Sequence, residues 1–484
     1  MTDFSHFFMS ISTQKIARNT GVLTASLIIQ KVLSFIYFSY LATQLGVNQT
    51  GLYFFVLSMV GICSIFIDFG LINALIRETS KQPEKANKYY RHAIIIRLLL
   101  AFIVLIIFYT FTLLSGYDLL TQRAMFIAGI IMTIDSFTLL FYALWRAHHN
   151  TAWESLGNII FQVVLLIIGG LVVYLSQSII FALLALLLAS TLNFLLAYFS
   201  SHIKLHLDFK WEIDCSIIKK ILLIALPFAL AGIFSRIYGY ADTFLLKNMI
   251  GDTALGYYSL PYKITFVWQF IPLAAIATLY PAFSNYYIEN KEKLAILWQK
   301  SSIYLLAISL PLSIGLYIFS KVIFLQIYGI EYVPSSYALQ LLIISLPLLF
   351  LNFPIGYLLN AAGMQNRNTL NIFIAMCISI IGNIILIPHY SYIGASMMSI
   401  ISTMSLFVFG ISQIRHIIKI NYMSLIKDLA RIIIAVIGMI AIILIIGPSL
   451  HYLLSMVIAG MVYIVLILVM KLISIGEIKA SIKK

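Results

Sequence analysis

The stretch Gln30-Lys31-Val32-Leu33-Ser34-Phe35, which runs on to Gly46 and Gly51-Leu52-Tyr53, is answered further along the chain by Ser235-Arg236, Gly251 and Gly256-Tyr257-Tyr258. One shift of 205 residues superposes Lys15 on Lys220, Lys31 on Arg236, Gly46 on Gly251, Gly51 on Gly256 and Tyr53 on Tyr258. Each copy sets one strong cation inside an otherwise apolar helical stretch. In hydrocarbon such a charge costs roughly 2.5 to 3.5 kcal/mol or more, so an intramembrane cation is read by default as a functional group.

The surroundings make hydrocarbon the right solvent to consider. The 484 residues are 62% apolar and only 10% charged, with a mean hydropathy of +1.01, which places the chain in the membrane class. Apolar segments of 18 or more residues recur from end to end, longer than buried helices of soluble proteins need. Barrel strands would alternate apolar and polar positions, whereas residues 94–114 are predominantly apolar with no such alternation. The expectation is an all-α polytopic membrane protein with about fourteen spans, from 21–43 and 51–74 to 432–446 and 450–470. Pro261 and Pro272 predict a break or kink in the span 257–282.

Lysine and arginine orient these spans. Twenty-five of the 31 fall on the side that holds both termini, whereas Arg123, Lys247 and Lys321 fall on the other. That bias predicts cytoplasmic termini and explains the net charge of +14 without a nucleic-acid partner. Lys31, Arg236 and Lys263 are left within spans. Lys15 and Arg18 precede an apolar segment too long for a signal-peptide core, so the N-terminus is read as retained. The outer loops are short, the longest at 320–336, and leave little room for an external catalytic site. The inner loops, 75–92 and 200–220, are basic and read as connectors.

The duplication continues weakly. Ala143-Leu144-Trp145-Arg146-Ala147 leading to Asn158-Ile159-Ile160 resembles Leu358-Leu359-Asn360-Ala361-Ala362 leading to Asn371-Ile372-Phe373. Six spans per copy put both copies in the membrane with the same orientation, a parallel repeat whose substrate site is expected where the halves meet. The expected division is an N-terminal lobe at 1–205, a C-terminal lobe at 206–420, and two extra helices with a cytoplasmic tail at 421–484.

Enzyme signatures are missing from this pattern. No phosphate-cradling glycine loop, nucleotide fingerprint, Cys-x-x-Cys or His-x-x-x-His occurs where it reads as a site. Cys63, Cys215 and Cys377 form no disulfide framework, and His148-His149 reads as a solvated turn. No cofactor, metal or ATP is expected; a proton or sodium gradient is the expected energy source.

The ionisable residues within spans remain. Lys31 and Arg236 lie 16 residues past Lys15 and Lys220, about 24 Å along a helix, in the central to outer hydrocarbon. Helical spacing puts Gly232, Gly239, Tyr240 and Thr243 on the face of Arg236 and Ser34, Phe35 and Phe38 on that of Lys31. Two readings follow. The cations face each other and grip an anionic group, Arg236 binding phosphate in two-pronged fashion and Lys31 acting as a point charge, with Lys263 a third candidate. Alternatively each pairs with a buried carboxylate such as Asp135 or Asp242, or snorkels outward along its stem. Asp135, central in 122–144, is a candidate proton carrier or salt-bridge partner, and Asp242 a second candidate for ion coupling. Asp68 and Glu154 lie toward span margins, where a structural role is expected.

Lys31, Leu45-Gly46, Gly51-Leu52-Tyr53, Asp68-Phe69-Gly70-Leu71 with Ala74 and Arg77, and Tyr280-Pro281-Ala282-Phe283-Ser284 resemble the bacterial O-antigen and lipid-linked oligosaccharide flippases. These form the polysaccharide transporter family of the multidrug/oligosaccharidyl-lipid/polysaccharide exporter superfamily. The resemblance implies two six-helix lobes around a V-shaped cavity, alternating access driven by an ion gradient, and no enzymatic step. The implied cargo is an undecaprenyl-diphosphate-linked repeat unit of O-antigen or capsule type, moved from the cytoplasmic to the outer leaflet of a bacterial inner membrane. A polysaccharide polymerase and a chain-length regulator are the implied partners. An ion-coupled drug exporter of the same superfamily is the alternative. Lys31 stands where related lipid II flippases carry a cavity arginine in a similar Ser-Arg-Val-Leu-Gly-Phe run. Those relatives place a second arginine six residues later, where this chain has Tyr37.

Overall fold

The computed structural model describes residues 2–148, 150–205, 213–446, 451–470 and 472, with side chains from Ala25 onward except at positions 83 and 277. Lys15, Arg18, His149, Lys210, Lys471, Lys479, Lys483 and Lys484, used in the reading of orientation and loops, therefore lie outside the described residues or side chains. Among the described residues every regular element is helical. In hydrocarbon each backbone N–H and C=O must be satisfied within its own segment, which leaves the helix as the form such apolar runs adopt.

The helices are α1 (Thr2–Asp68), α2 (Leu71–Lys81), α3 (Ala86–Leu114), α4 (Leu119–Ala147), α5 (Ala152–Val164), α6 (Gly170–Ser176), α7 (Ile179–Leu205) and α8 (Cys215–Met249). They continue with α9 (Asp252–Val267), α10 (Phe270–Glu289), α11 (Lys291–Ile323), α12 (Ser335–Ile344), α13 (Leu346–Ala361), α14 (Gln365–Ile414), α15 (Tyr422–Ile446) and α16 (Tyr452–Val469). Among the described residues eleven helices are long and apolar enough to cross a membrane, or twelve when the bent pair of α9 and α10 counts as one span. Two of these are each two helices joined at a kink, α1 at Gly46 (φ 70°, ψ 178°) and α14 at Ser391 (φ 53°, ψ −136°), which is consistent with about fourteen spans. Gly46 reaches its positive φ without a Cβ clash; Ser391, three residues after Pro388, carries strain.

The break expected within 257–282 is present: α9 ends at Val267 and α10 begins at Phe270, and Asp252–Ile276 and Thr278–Glu289 meet at 49°. A proline ring collides with the carbonyl of residue i−4 and withdraws a hydrogen bond from it; for Pro272 that residue is Trp268, in the break itself.

Two compact units divide the chain, 1–260 and 261–484. In the first, α4 packs along α7 and α1 lies against α4, α5 and α8. Its core holds Leu75, Tyr90, Phe141, Tyr142, Trp145 and Ala225. The outer face of α3 exposes Leu99, Phe102, Ile103, Ile106 and Ile107. A continuous apolar stripe of this kind marks a surface that faces lipid rather than water. In the second unit α13 packs on α14 and α11, and α15 on α16 and α11.

Candidate functional site

The two matched stretches meet inside the first unit. Asn48 Nδ2 donates to Thr253 Oγ1 at 3.3 Å, between positions 205 residues apart. A Cβ on Gly51 would stand 2.0 Å from the carbonyl oxygen of Asp252 and 2.6 Å from the backbone nitrogen of Gly256. A Cβ on Gly256 would stand 2.0 Å from the carbonyl oxygen of Val47. Val47 and Asp252 are themselves 205 residues apart, so the contact is reciprocal: the first stretch touches the second as the second touches the first. That is the local signature of a twofold relationship. It needs glycine at both positions, because any side chain would push the two backbones apart.

Lys31 and Arg236 obey the same interval and lie close enough for their charges to repel. Both side chains are exposed. Around Arg236 the small residues have distinct tasks. Gly232 admits Ile65, and Gly61 of α1 admits the ring of Tyr240, whereas a Cβ on Gly239 would meet nothing within 4 Å. Ion pairs of this unit include Asp68 with Arg97, Glu154 with Arg146, Glu78 with Lys220 and Asp252 with Lys247. Among the described residues Lys31 and Arg236 join no ion pair with Asp135 or Asp242. Two like charges without a paired carboxylate leave a net positive field in that space.

Asp242 is buried and fully engaged: Tyr258 Oη donates to Oδ2, and the Thr243 backbone N–H donates to Oδ1 at 2.7 Å. Its counterpart 205 residues earlier is Tyr37, whose hydroxyl faces Tyr53, the counterpart of Tyr258, without closing a well-formed hydrogen bond. The two copies thus share one aromatic partner and differ in one group, a phenol in the first and a carboxylate in the second. Asp135 on α4 faces the hydroxyl of Ser190 on α7, again without a well-formed hydrogen bond. Lys263 belongs to the second unit, half-buried within α9, in regular helix rather than an irregular turn. Trp268 lines an apolar cavity of about 370 Å³ in that unit with Pro311, Met439 and Tyr463.

Arg97, counted on sequence among the loop cations, lies within α3 and is completely buried. Its guanidinium donates to Asp68 Oδ1 and to the Ser136 carbonyl. Asp68 also ends α1: the Ile72 N–H donates to it at 3.3 Å, and Phe69 (φ 42°) and Gly70 (φ 74°) turn the chain into α2. A Cβ on Gly70 would stand 2.4 Å from the Ala225 carbonyl oxygen of α8. The Asp68-Phe69-Gly70-Leu71 signature is therefore structural. The sequence signal for Arg97 existed, since it sits inside the predominantly apolar run 94–114.

The basic end is patterned, not a mere connector. Lys220 bonds Glu78 at 2.6 Å and Tyr89 Oη at 3.1 Å, while Lys88 lies 3.3 Å from Asp214. His92 accepts from the Asp214 backbone N–H at 3.0 Å. These bonds tie α2 and α3 to the start of α8. The Ser216 hydroxyl and Lys88 hold the Asp214 carboxyl down at about 2. Among the described residues no three His, Cys, Asp or Glu side chains converge as metal ligands.

The family "Polysaccharide biosynthesis protein" matches residues 16–287, more than half of the chain. The chain belongs to that family. A probable low-salt glycan biosynthesis flippase of Haloferax volcanii is 24% identical to it over 83% of this chain and 82% of its own length. An uncharacterized membrane protein of Methanocaldococcus jannaschii is 27% identical over 52% of this chain; the match spans half the length of that protein. Among solved structures the fold resembles the lipid II flippase MurJ in an inward closed conformation (TM-score 0.76, 16% identity, 92% of this chain and 97% of that one). It also resembles a multidrug resistance MATE family transporter of the MOP superfamily in an inward-facing conformation (TM-score 0.68, 17% identity, 82% and 98%). At these identities the structural likeness speaks for the fold alone.

Proposed function

We propose that this family member is a flippase that carries a lipid-linked oligosaccharide across the membrane by alternating access without an enzymatic step. The observation that carries the reading is the Lys31 and Arg236 pair: the two charges lie close enough to repel and, among the described residues, join no ion pair with Asp135 or Asp242. A membrane protein that keeps two cations together gains nothing from their mutual repulsion, so the balancing charge is expected to arrive with the cargo. A diphosphate fits, because Arg236 takes phosphate oxygens in two-pronged fashion and Lys31 adds a mobile point charge. The glycan flippase of Haloferax volcanii supports the cargo class.

The finer form of the proposal is an undecaprenyl-diphosphate-linked repeat unit of O-antigen or capsule type. It enters from the cytoplasmic leaflet of a bacterial inner membrane, with both termini cytoplasmic. Asp135 and Asp242 are the proposed carriers of the coupling ion, a proton or sodium, and Lys263 a further contact for the head group. A polymerase and a chain-length regulator would take the product.

The test is translocation by the full chain in proteoliposomes, using a fluorescent polyprenyl-diphosphate oligosaccharide. Wild type should move it and the K31A/R236A variant should not, with insertion unchanged. The rival within the same fold, an ion-coupled exporter of cationic drugs, conflicts with the net positive field of Lys31 and Arg236. Transport of a cationic dye in place of the glycolipid would overturn the proposal in favour of that rival.

A further inference from the structure

The second unit holds a cavity whose chemistry differs from that of the cation pair. About 220 Å³ in volume, it lies between α13 and α14 and is lined by Asn352, Tyr357, Asn360, Asn368 and Asn371. Asn352, Gly356 and Asn360 recur at intervals of four on α13 and so share a face, with Tyr357 beside them. Asn360 lies in the last turn of α13 and Asn368 in the first of α14, while Asn352 is about 12 Å deeper along its helix. Among the described residues no charged side chain lines this space.

Part of the amide set braces the helices. Asn371 and Gln413 exchange two hydrogen bonds, at 3.2 and 2.8 Å, and Asn368 Nδ2 donates to Asn360 Oδ1 at 3.3 Å. Amides join membrane helices in this way, and bracing accounts for Asn371. It does not account for Asn352. Its Nδ2 donates to the Thr403 carbonyl at 3.3 Å, which fixes the orientation of the amide, because a carbonyl only accepts. Its Oδ1 is then buried with no hydrogen-bond partner among the described residues, a costly state for an acceptor in apolar surroundings. An amide offers two donors and an oxygen with two lone pairs, so Asn360 and Asn368 also have more capacity than their mutual bond uses. Tyr357 adds aromatic surface to the lining, packed edge-on to Tyr280 at 5.5 Å between ring centroids. At the matching stretch of the first copy, Trp145 packs beside Trp153 and Arg146 pairs with Glu154. Asn360 and Ala361 stand there in the second copy, which replaces aromatic packing and a charge pair by a neutral amide and a small residue.

Neutral donors, neutral acceptors and an aromatic ring in one small cavity match a sugar ring, whose hydroxyls both donate and accept and whose C–H face is apolar. We propose that this cavity binds one uncharged pyranose unit of the transported glycan, with a sugar hydroxyl donating to Asn352 Oδ1. The amides of Asn360 and Asn368 meet further hydroxyls, and Tyr357 packs on the ring. A uronic acid is disfavoured, since its carboxylate would lose water with no cation in the lining. The proposal rests on the glycan-flippase reading for the origin of the sugar. Asn360 and Asn368 lie at the helix ends to which the lysine and arginine bias assigns the cytoplasm, where such a glycolipid would first be met.

Saturation-transfer NMR on the purified full chain in a sugar-free detergent tests it. The probes are the methyl glycosides of glucose, galactose, mannose and N-acetylglucosamine, with methyl glucuronide as the charged comparison. At least one neutral glycoside should bind, about ten-fold or more tighter than the glucuronide, which must bury an unpaired charge. N360A/N368A should weaken that binding about five-fold, the worth of one neutral hydrogen bond, and Y357F, which keeps the ring, should retain it. A Cβ on Gly356 would meet only the Asn368 side chain, at 3.6 Å, so G356A should fold and bind, whereas G356L should fill the cavity and abolish binding with a Tm near that of G356A. Absence of transfer from every neutral glycoside, equal binding of the glucuronide, or undiminished binding by G356L and N360A/N368A overturns the proposal. None of these probes carries a diphosphate or a lipid, so failure here leaves the flippase reading to stand or fall on the proteoliposome test.

Discussion

Asn48 and Thr253 are joined side chain to side chain at 3.3 Å across 205 residues of chain, the interval that also separates Gly51 from Gly256 and Lys31 from Arg236. The interval seen along the chain is thus also a spatial contact, and the cationic pair belongs to the same reciprocal arrangement as the glycines.

That arrangement predicts unequal glycine tolerance. G51A and G256A each force a methyl to 2.0 Å from a carbonyl oxygen, and overpacking of this kind costs about 1 to 3 kcal/mol. G239A meets no atom within 4 Å and should leave stability nearly unchanged. Thermal unfolding of the three purified variants checks the ranking.

The cation pair should trade stability for function. Lys31→Gln removes a repulsion with Arg236 and is expected to raise Tm slightly while lowering glycolipid transport about ten-fold or more, since charge-assisted contacts are worth about 1.5 to 3 kcal/mol. Lys31→Arg should retain most transport. A fall in Tm for Lys31→Gln would show that the lysine is a structural group instead.

Asp68 and Arg97 behave in the opposite sense. Asp68→Asn strips the partner from a completely buried guanidinium, a loss of about 3 to 5 kcal/mol. The D68L/R97L variant should be less damaged than D68N alone. A double-mutant cycle on chemical or thermal unfolding gives the coupling directly.

Glu78 sets a limit on pH dependence. Its burial alone would raise the carboxyl, but the Lys220 hydrogen bond and charge, with Lys81 and Arg77, outweigh burial and lower it. A depressed folded-state value means that the tie to α8 contributes fully above the ordinary glutamate value of about 4.3 and is lost as pH falls through the folded value. The Tm difference between wild type and E78Q should therefore hold constant from about pH 5 to 8 and shrink below about pH 4. Any change in transport between pH 5 and 8 has to come from other groups.

Asp242 and Asp135 are the groups to test for that. D242N keeps the shape that accepts from Tyr258 and Thr243 while losing the ionisable site. If Asp242 carries the coupling ion, D242N should abolish uphill transport but retain exchange. Y37D, which repeats the carboxylate in the first copy, should alter the ion dependence. Uptake driven by imposed proton and sodium gradients separates these outcomes.

Membrane class, helical form, span count and the interval of 205 were all legible in the amino-acid order. Each is local: whether a segment of 20 residues prefers hydrocarbon depends on that segment's own side chains, and glycine spacing is countable. The same order misplaced Arg97 among the loops and read the Lys220, Glu78 and His92 network as a connector. It left open whether Lys31 and Arg236 form ion pairs with Asp135 or Asp242, and among the described residues they form none. Only the tertiary structure decided these points. Charge pairing and close backbone approach depend on distances between residues far apart in the chain, and hydropathy carries no information about which helix a buried charge will face.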